Sequence, residues 1–259
     1  MRTLLMAQRP RYILSLGDSM SIDAYAGGPG RGAASLLYQN RDADFPSWAG
    51  RDLKSRLPGA RLIPLAMDGG TSATVRHAQV PRFAEMSIKA AAITLTMGGN
   101  DLLQMFGNDD AAQNAHRALR ENGQAIIAKV QQMSEPDAPL LIGTIYDPSD
   151  GTGDTTRLDI LSWPGALAWI HRFNETLREL AAKNNATLVD LHAAFQGHGL
   201  ASGETPAQPD PRPANRQLYY CGVIEPNAWG ASAIRAAWWD ALANAGFMTE
   251  TNLEEKTCC

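Results

Sequence analysis

The chain has 259 residues, enough for one sizeable α/β domain with its own core. Its hydrophobic content of 44% and charged content of 19% suit a globular protein and exclude wholesale disorder. The net charge of -4, from 23 Lys+Arg against 27 Asp+Glu, lacks the basic footprint that a nucleic-acid partner demands.

Short β-rich runs alternate with longer helical patterns. Tyr12–Leu16 reads as the first strand, and Arg61–Leu65 as a second that its proline pushes toward a sheet edge. Ala92–Thr96 and Leu140–Thr144 are near-continuous apolar runs, as expected of strands buried on both faces. Ala186–Asp190 is the fifth. Ala118, Ile126, Ile127 and Val130 recur at loose helical spacing, and Trp169, Ile170, Phe173, Leu177 and Leu180 at a closer one. A last helix is predicted from about Pro226 past Ile234, Trp238 and Leu242, with the Trp238-Trp239 pair read as packing rather than an acyl groove. This alternation implies a parallel sheet with helices on both faces.

Loops rich in Gly and Pro follow the first and fourth strands (residues 27–32 and 147–154), where α/β sheets place ligands. A proline-rich stretch, Glu204–Asn215, follows the fifth, as a lid or a surface excursion. No apolar run approaches the roughly 18 residues of a membrane span. The apolar part of residues 1–10 is too short for a secretory signal. Cys221, Cys258 and Cys259 form neither a disulfide framework nor a metal-ligand spacing. The expectation is a single cytoplasmic domain over 1–259, without cofactor or metal, ending in a flexible tail from about 247. Its oligomeric state is unreadable.

Three strand ends carry chemistry. Gly17-Asp18-Ser19 presents a hydroxyl at the end of the first strand, a nucleophile if a base removes its proton. Asp68-Gly69-Gly70-Thr71-Ser72 and Gly98-Gly99-Asn100-Asp101 add glycine backbone and an asparagine amide at the same sheet end. Glycine lets a main-chain N–H approach a ligand, and the amide donates to a developing oxyanion.

In order and spacing these blocks resemble the SGNH/GDSL hydrolase superfamily, over about Tyr12 to Gly246. The resemblance implies a three-layer flavodoxin-like fold with five parallel strands. It implies esterase or lipase activity on a small-molecule acyl ester, with Ser19 as nucleophile and Ser19, Gly70 and Asn100 as oxyanion hole. The family's fourth block, Asp-x-x-His before Pro-Asn, is altered here: ahead of Pro226-Asn227 the histidine position is Glu225 and the aspartate position Gly222. Gly17 to Asp23, Gly197-His198-Gly199 and Ile224 to Asn227 also resemble a bacterial GDSL-like subgroup with this atypical ending.

Another base is therefore needed. Of five histidines, His116 reads as solvated, His171 as structural, and His77 lies in a predicted helix. His192 and His198 follow the fifth strand. A rearranged triad of Ser19, His198 and Glu225 is expected, with His192 the alternative base and Glu225 itself a poor one. Asp23 is open to substrate binding, loop capping or pairing with Arg31; Asp101 and Asp147 are further substrate-binding candidates. The rival readings are a ligand-binding protein that has lost its base, and an acyltransferase.

Overall fold

The computed structural model describes residues 10–158, 160, 163–202 and 208–248. Five parallel strands form one sheet in the order β2-β1-β3-β4-β5: β1 (Tyr12–Leu16), β2 (Arg61–Pro64), β3 (Ala90–Leu95), β4 (Leu140–Gly143) and β5 (Thr187–Val189). Every residue of β3 and β4 is buried, whereas β2 is an exposed edge where Pro64 ends the strand. A proline removes a ladder donor, which an edge tolerates.

The pleat splits the strand side chains between two cores. Ile13, Ala92, Leu141 and Val189 face α1 (Ala33–Tyr38) and later helices; Leu14, Leu16, Ile93, Leu95 and Ile142 face the other side. On the first side pack α2 (Leu53–Arg56) and, beyond the sheet, α8 (Leu191–Phe195) and α9 (Ala228–Asn244). On the second side lie α3 (Ser72–Thr74), the π-helical turn Val75–Gln79, and α4 (Val80–Glu85). They are joined there by α5 (Gly99–Leu103), α6 (Asp109–Gln132) and α7 (Ala166–Lys183). This is the three-layer architecture the sequence implied.

The last helix starts later than Pro226. Pro226 belongs to a two-stranded hairpin, β6 (Tyr220–Cys221) with β7 (Glu225–Pro226). The helix is capped by Asn227, whose side chain accepts the N–H groups of Trp229 and Gly230 at 3.0 Å each. Trp238 and Trp239 are buried in the α9 core. Phe247, at the start of the expected tail, is buried and lies under the Arg11 guanidinium at 4.5 Å. The N-terminal segment, residues 204–207 of the proline-rich stretch, Cys258 and Cys259 lie outside the described residues; Cys221 is buried with a free thiol. Among the described residues no helix is long and apolar enough to cross a membrane.

Candidate active site

The loops after β1, β2, β3 and β4 meet above the carboxyl end of the sheet, where the strand order reverses between β1 and β3. Crevices of open α/β sheets form at such points. Gly17 turns the chain out of β1 at φ 130°. A Cβ on Gly17 would stand 2.2 Å from Thr96 Oγ1, so only glycine fits there. The turn is clamped from the π-helical segment. The Gln79 side chain accepts the Gly17 N–H at 2.8 Å and donates to the Gly17 carbonyl at 2.7 Å, fully buried. π-turns recur at functional sites. This one brings the amide across 62 residues of chain to the turn that precedes Ser19.

Asp18 is buried. Its Oδ1 accepts from Thr96 Oγ1 at 2.8 Å and from the Met20 N–H at 3.2 Å. Burial pushes its carboxyl up to about 6, against the lowering effect of the Thr96 bond. Ser19 itself is half-buried, and its hydroxyl has no hydrogen-bond partner among the described residues.

Asn100 donates its side-chain amide to the Gly70 carbonyl at 3.1 Å, and one amide hydrogen is left over. Gly70 donates its own N–H to Met67 O at 3.2 Å, and a Cβ there would meet the Gly17 carbonyl at 2.6 Å. The three expected donor segments thus interlock through Gly17, Gly70 and Asn100.

Ser19, Asp18 and Asn100 open onto a pocket with mostly apolar walls. Leu102, Leu103 and Phe106 form one side; Ile145, Tyr146, Asp147 and Pro148 form the rim of β4; Ala166, Leu167 and Ile170 come from α7; Ile224 closes it. Tyr146 donates its hydroxyl to the Ile224 carbonyl and so anchors the β6–β7 hairpin at the pocket. Burial holds the Tyr146 phenol well above its ordinary range, with the Asp18 and Glu225 charges adding to it. Outside the pocket lining Tyr25 donates to Asp68 at 2.7 Å, and that bond pushes the Tyr25 phenol up to about 12.

The expected triad is not assembled. His198 Nδ1 is 2.8 Å from the Gln217 carbonyl, and its ring stacks on Tyr219 with centroids 3.8 Å apart. Tyr219 packs on Phe195, which stacks on Tyr146 of the pocket wall, so a run of ring contacts connects His198 to the pocket wall. Glu225 Oε2 accepts the N–H groups of Val223 and Ile224 at 3.1 Å each; among the described residues no bond joins Glu225 to His198. His192 Nδ1 faces the Ile145 carbonyl at 3.2 Å. His116, read as solvated, is half-buried: its Nε2 is 2.7 Å from Thr176 Oγ1 and it packs against Phe173. Among the described residues neither a histidine nor Glu225 lines the pocket.

The carboxylates expected at substrate each accept hydrogen bonds from the protein. Asp23 caps the glycine-rich loop, accepting Gly30 and Gly32 N–H at 2.9 and 2.7 Å, while Arg31 pairs with Asp44. Asp101 spends both oxygens on Ser72, at 2.8 Å to its N–H and 2.5 Å to its hydroxyl, which ties α5 to α3. Asp147 lines the pocket but accepts from Ser149 Oγ and N and from Gly151 N. Gln79, Tyr146 and the apolar walls were not anticipated. Gln79 carries no local signal, because its partner is distant in sequence.

Residues 15–232 match the model of the GDSL-like Lipase/Acylhydrolase family. The chain belongs to that family. Among curated proteins no sequence matches it. Solved structures share its fold. LAE5, an alpha/beta hydrolase enzyme from the metagenome of Lake Arreo, Spain, is 18% identical with a TM-score of 0.58, over 93% of this chain and 97% of that one. The lipase Lip_vut3 from a goat rumen metagenome is 20% identical with a TM-score of 0.61, over 92% and 98%. The acetyl xylan esterase AlAXEase is 18% identical with a TM-score of 0.60, over 89% and 99%.

Within the family pattern, the altered fourth block has a steric logic. Gly222, at the aspartate position, has φ 59°, and a Cβ there would meet Glu225 Oε2 at 3.0 Å. The Glu225 carboxylate folds over the place where the aspartate side chain would begin. The two departures are thus spatially coupled.

Proposed function

We propose that this chain is a serine hydrolase of carboxylic esters. One observation carries the reading: Ser19, with a free hydroxyl, and Asn100, with a free amide hydrogen, share the mouth of one apolar-walled pocket. Ser19 Oγ attacks the ester carbonyl while its proton passes to a base. The Ser19 and Gly70 N–H groups and the Asn100 amide receive the oxyanion; the Gly70 N–H leaves Met67 to do so. Collapse expels the alcohol with that proton, leaving an acyl-serine. Water then attacks the acyl-serine, giving its proton to the same base; collapse breaks the bond to Ser19 Oγ, which takes that proton back as the carboxylic acid departs.

The base in this reading is Glu225. It occupies the family histidine's place in the chain, beside the pocket-lining Ile224. One carboxylate oxygen is held by two backbone N–H groups, and the other has no bond among the described residues. His198, whose Nδ1–H is held by the Gln217 carbonyl, keeps Nε2 as an acceptor and serves as base only if the 197–199 turn brings that nitrogen to Ser19. The absence of any imidazole from the pocket wall also favours a second reading, a ligand-binding protein without hydrolysis.

Turnover of p-nitrophenyl butyrate separates these. Ser19→Ala is expected to abolish it, Asn100→Ala to lower kcat about 100-fold or more, and Glu225→Gln to lower it about 100-fold or more. His198→Ala is expected to stay close to wild type. Loss in His198→Ala with Glu225→Gln intact moves the base to His198. A folded wild type with no turnover on any ester supports the binding protein.

A further inference from the structure

One carboxyl oxygen in the apolar-walled pocket receives no donor from the protein. Asp18, the residue before Ser19, lines the pocket and is only 3% exposed. Its Oδ1 accepts both the Thr96 hydroxyl at 2.8 Å and the Met20 N–H at 3.2 Å. Among the described residues no hydrogen bond reaches Oδ2. That oxygen borders the space above Gly99, itself a pocket residue: a Cβ there would stand at ordinary contact, 4.0 Å from Asp18 Oδ2 and 4.0 Å from Ile145 Cγ2. Glycine leaves this space to a ligand atom. Asp147, the other carboxylate of the lining, is occupied: it accepts from Ser149 and Gly151, and Ser149 Oγ in turn accepts the Gly153 N–H at 2.9 Å. A buried acceptor without a donor is costly, and in a pocket with apolar walls the few polar groups select the ligand.

We infer that Asp18 is a specificity-determining residue, whose Oδ2 accepts a hydrogen bond from a hydroxyl that the ester carries within a few bonds of its carbonyl. This deepens the hydrolase reading and rests on it for the position of that carbonyl. Neighbouring Cα atoms lie about 3.8 Å apart, so Oδ2 meets groups close to the carbon that Ser19 attacks. A hydroxyl has one hydrogen to donate and is satisfied by one oxygen; an ammonium would leave two of its three donors against apolar walls. The role depends on ionisation. As a carboxylate, Asp18 accepts at Oδ2; once protonated, with Oδ1 already taking two donors, it carries the proton on Oδ2 and donates. Burial pushes this carboxyl up to about 6; the Thr96 and Met20 bonds oppose the rise, and the Asp101 charge on α5 adds to it. Burial keeps the Tyr146 phenol neutral at any pH used here, and among the described residues no Lys, Arg or His lines the pocket. Asp18 is therefore an acceptor at pH 8 and a donor at pH 5.

The test compares matched esters by chromatographic release of acid at pH 8 and pH 5. p-Nitrophenyl 3-hydroxybutyrate against p-nitrophenyl butyrate puts the hydroxyl on the acyl side; 2-hydroxyethyl butyrate against propyl butyrate puts it on the alcohol. In at least one pair the hydroxylated ester is expected to lead in kcat/KM by about tenfold or more at pH 8, and that pair assigns the side. The lead should vanish or reverse at pH 5; each comparison is a ratio, so a general loss of activity at low pH cancels. Asp18→Asn, which keeps an oxygen for Thr96 and Met20 and turns an N–H toward the place of Oδ2, should lack the lead at both pH values. The wild-type pH switch stands as a test of its own should that variant fail to fold. A second arm measures binding of the same four esters to Ser19→Ala, with and without Asp18→Asn, by calorimetry at pH 8. Turnover without a lead in either pair, a lead unchanged at pH 5, or one that survives Asp18→Asn overturns the Asp18 assignment and leaves the hydrolase reading standing. A hydroxyl preference in binding that Asp18→Asn removes, with no turnover by the wild type, overturns the hydrolase reading and keeps the assignment. Neither binding nor turnover of any of the four overturns both.

Discussion

Asp18 and Gln79 show how single side chains hold the turn that presents Ser19. Asp18 is buried with its carboxyl raised to about 6 from an ordinary value near 4, so its protonated form is favoured in the folded state. The folded chain then binds a proton more tightly than the unfolded one between those values. Stability attributable to Asp18 is greatest at or below about pH 4, falls as pH rises to about 6, and is flat above it. Asp18→Asn keeps an acceptor for Thr96 and the Met20 N–H and removes the charge. Relative to wild type it is expected to gain stability between pH 4 and pH 7, by about 2–3 kcal/mol. Urea melts at the two pH values check this, and an offset that does not vary with pH contradicts it. Gln79→Ala strands the buried N–H of Gly17, worth about 1–3 kcal/mol when unpaired, and leaves the Gly17 carbonyl with only the Met67 N–H at 3.1 Å. It should lower the melting temperature and reduce kcat more than it changes KM; equal loss in both would make Gln79 a merely structural residue.

The elements repeat a division between what is local and what is not. The strand Tyr12–Leu16 has the bounds the pattern of apolar residues implies, and β2 lies at the edge where its proline points. Those signals are carried by neighbouring residues. The start of α9 is displaced because a buried asparagine, not the preceding proline, satisfies the helix's first N–H groups. Asn227 also donates to the Leu218 carbonyl at 2.6 Å, joining the cap to the segment that leads into β6. Asn227→Ala therefore loses a cap and a buried bond together. It is expected to cost about 2–3 kcal/mol in denaturant melts, and a change under about 0.5 kcal/mol would sever this link between cap and hairpin. The π-turn at Val75–Gln79 had no signature in the sequence, because only the distant Gly17 gives it a role. His116 was misread for a like reason: the residues that cover it, Thr176 and Phe173, lie on another helix.

At the scale of the whole molecule, the family and its sheet were legible because glycine and small polar blocks mark strand ends in order. The proton acceptor was not legible, because it depends on which side chain the last hairpin delivers to the crevice. Its glycine-flanked turn after the fifth strand suggested His198, and the fold stacks that ring on Tyr219, with its Nδ1 on the Gln217 carbonyl. Glu225 follows the pocket-lining Ile224, and its carboxylate folds over Gly222. The central claim is that Ser19 is an activated nucleophile in this setting. The most direct measurement is intact-mass and peptide mapping after treatment with an alkyl fluorophosphonate at pH 7.5. The account expects a single adduct on Ser19 that is absent from Ser19→Ala and strongly slowed in Glu225→Gln. A folded protein that takes up no phosphonate, or takes it up at another residue, would contradict it.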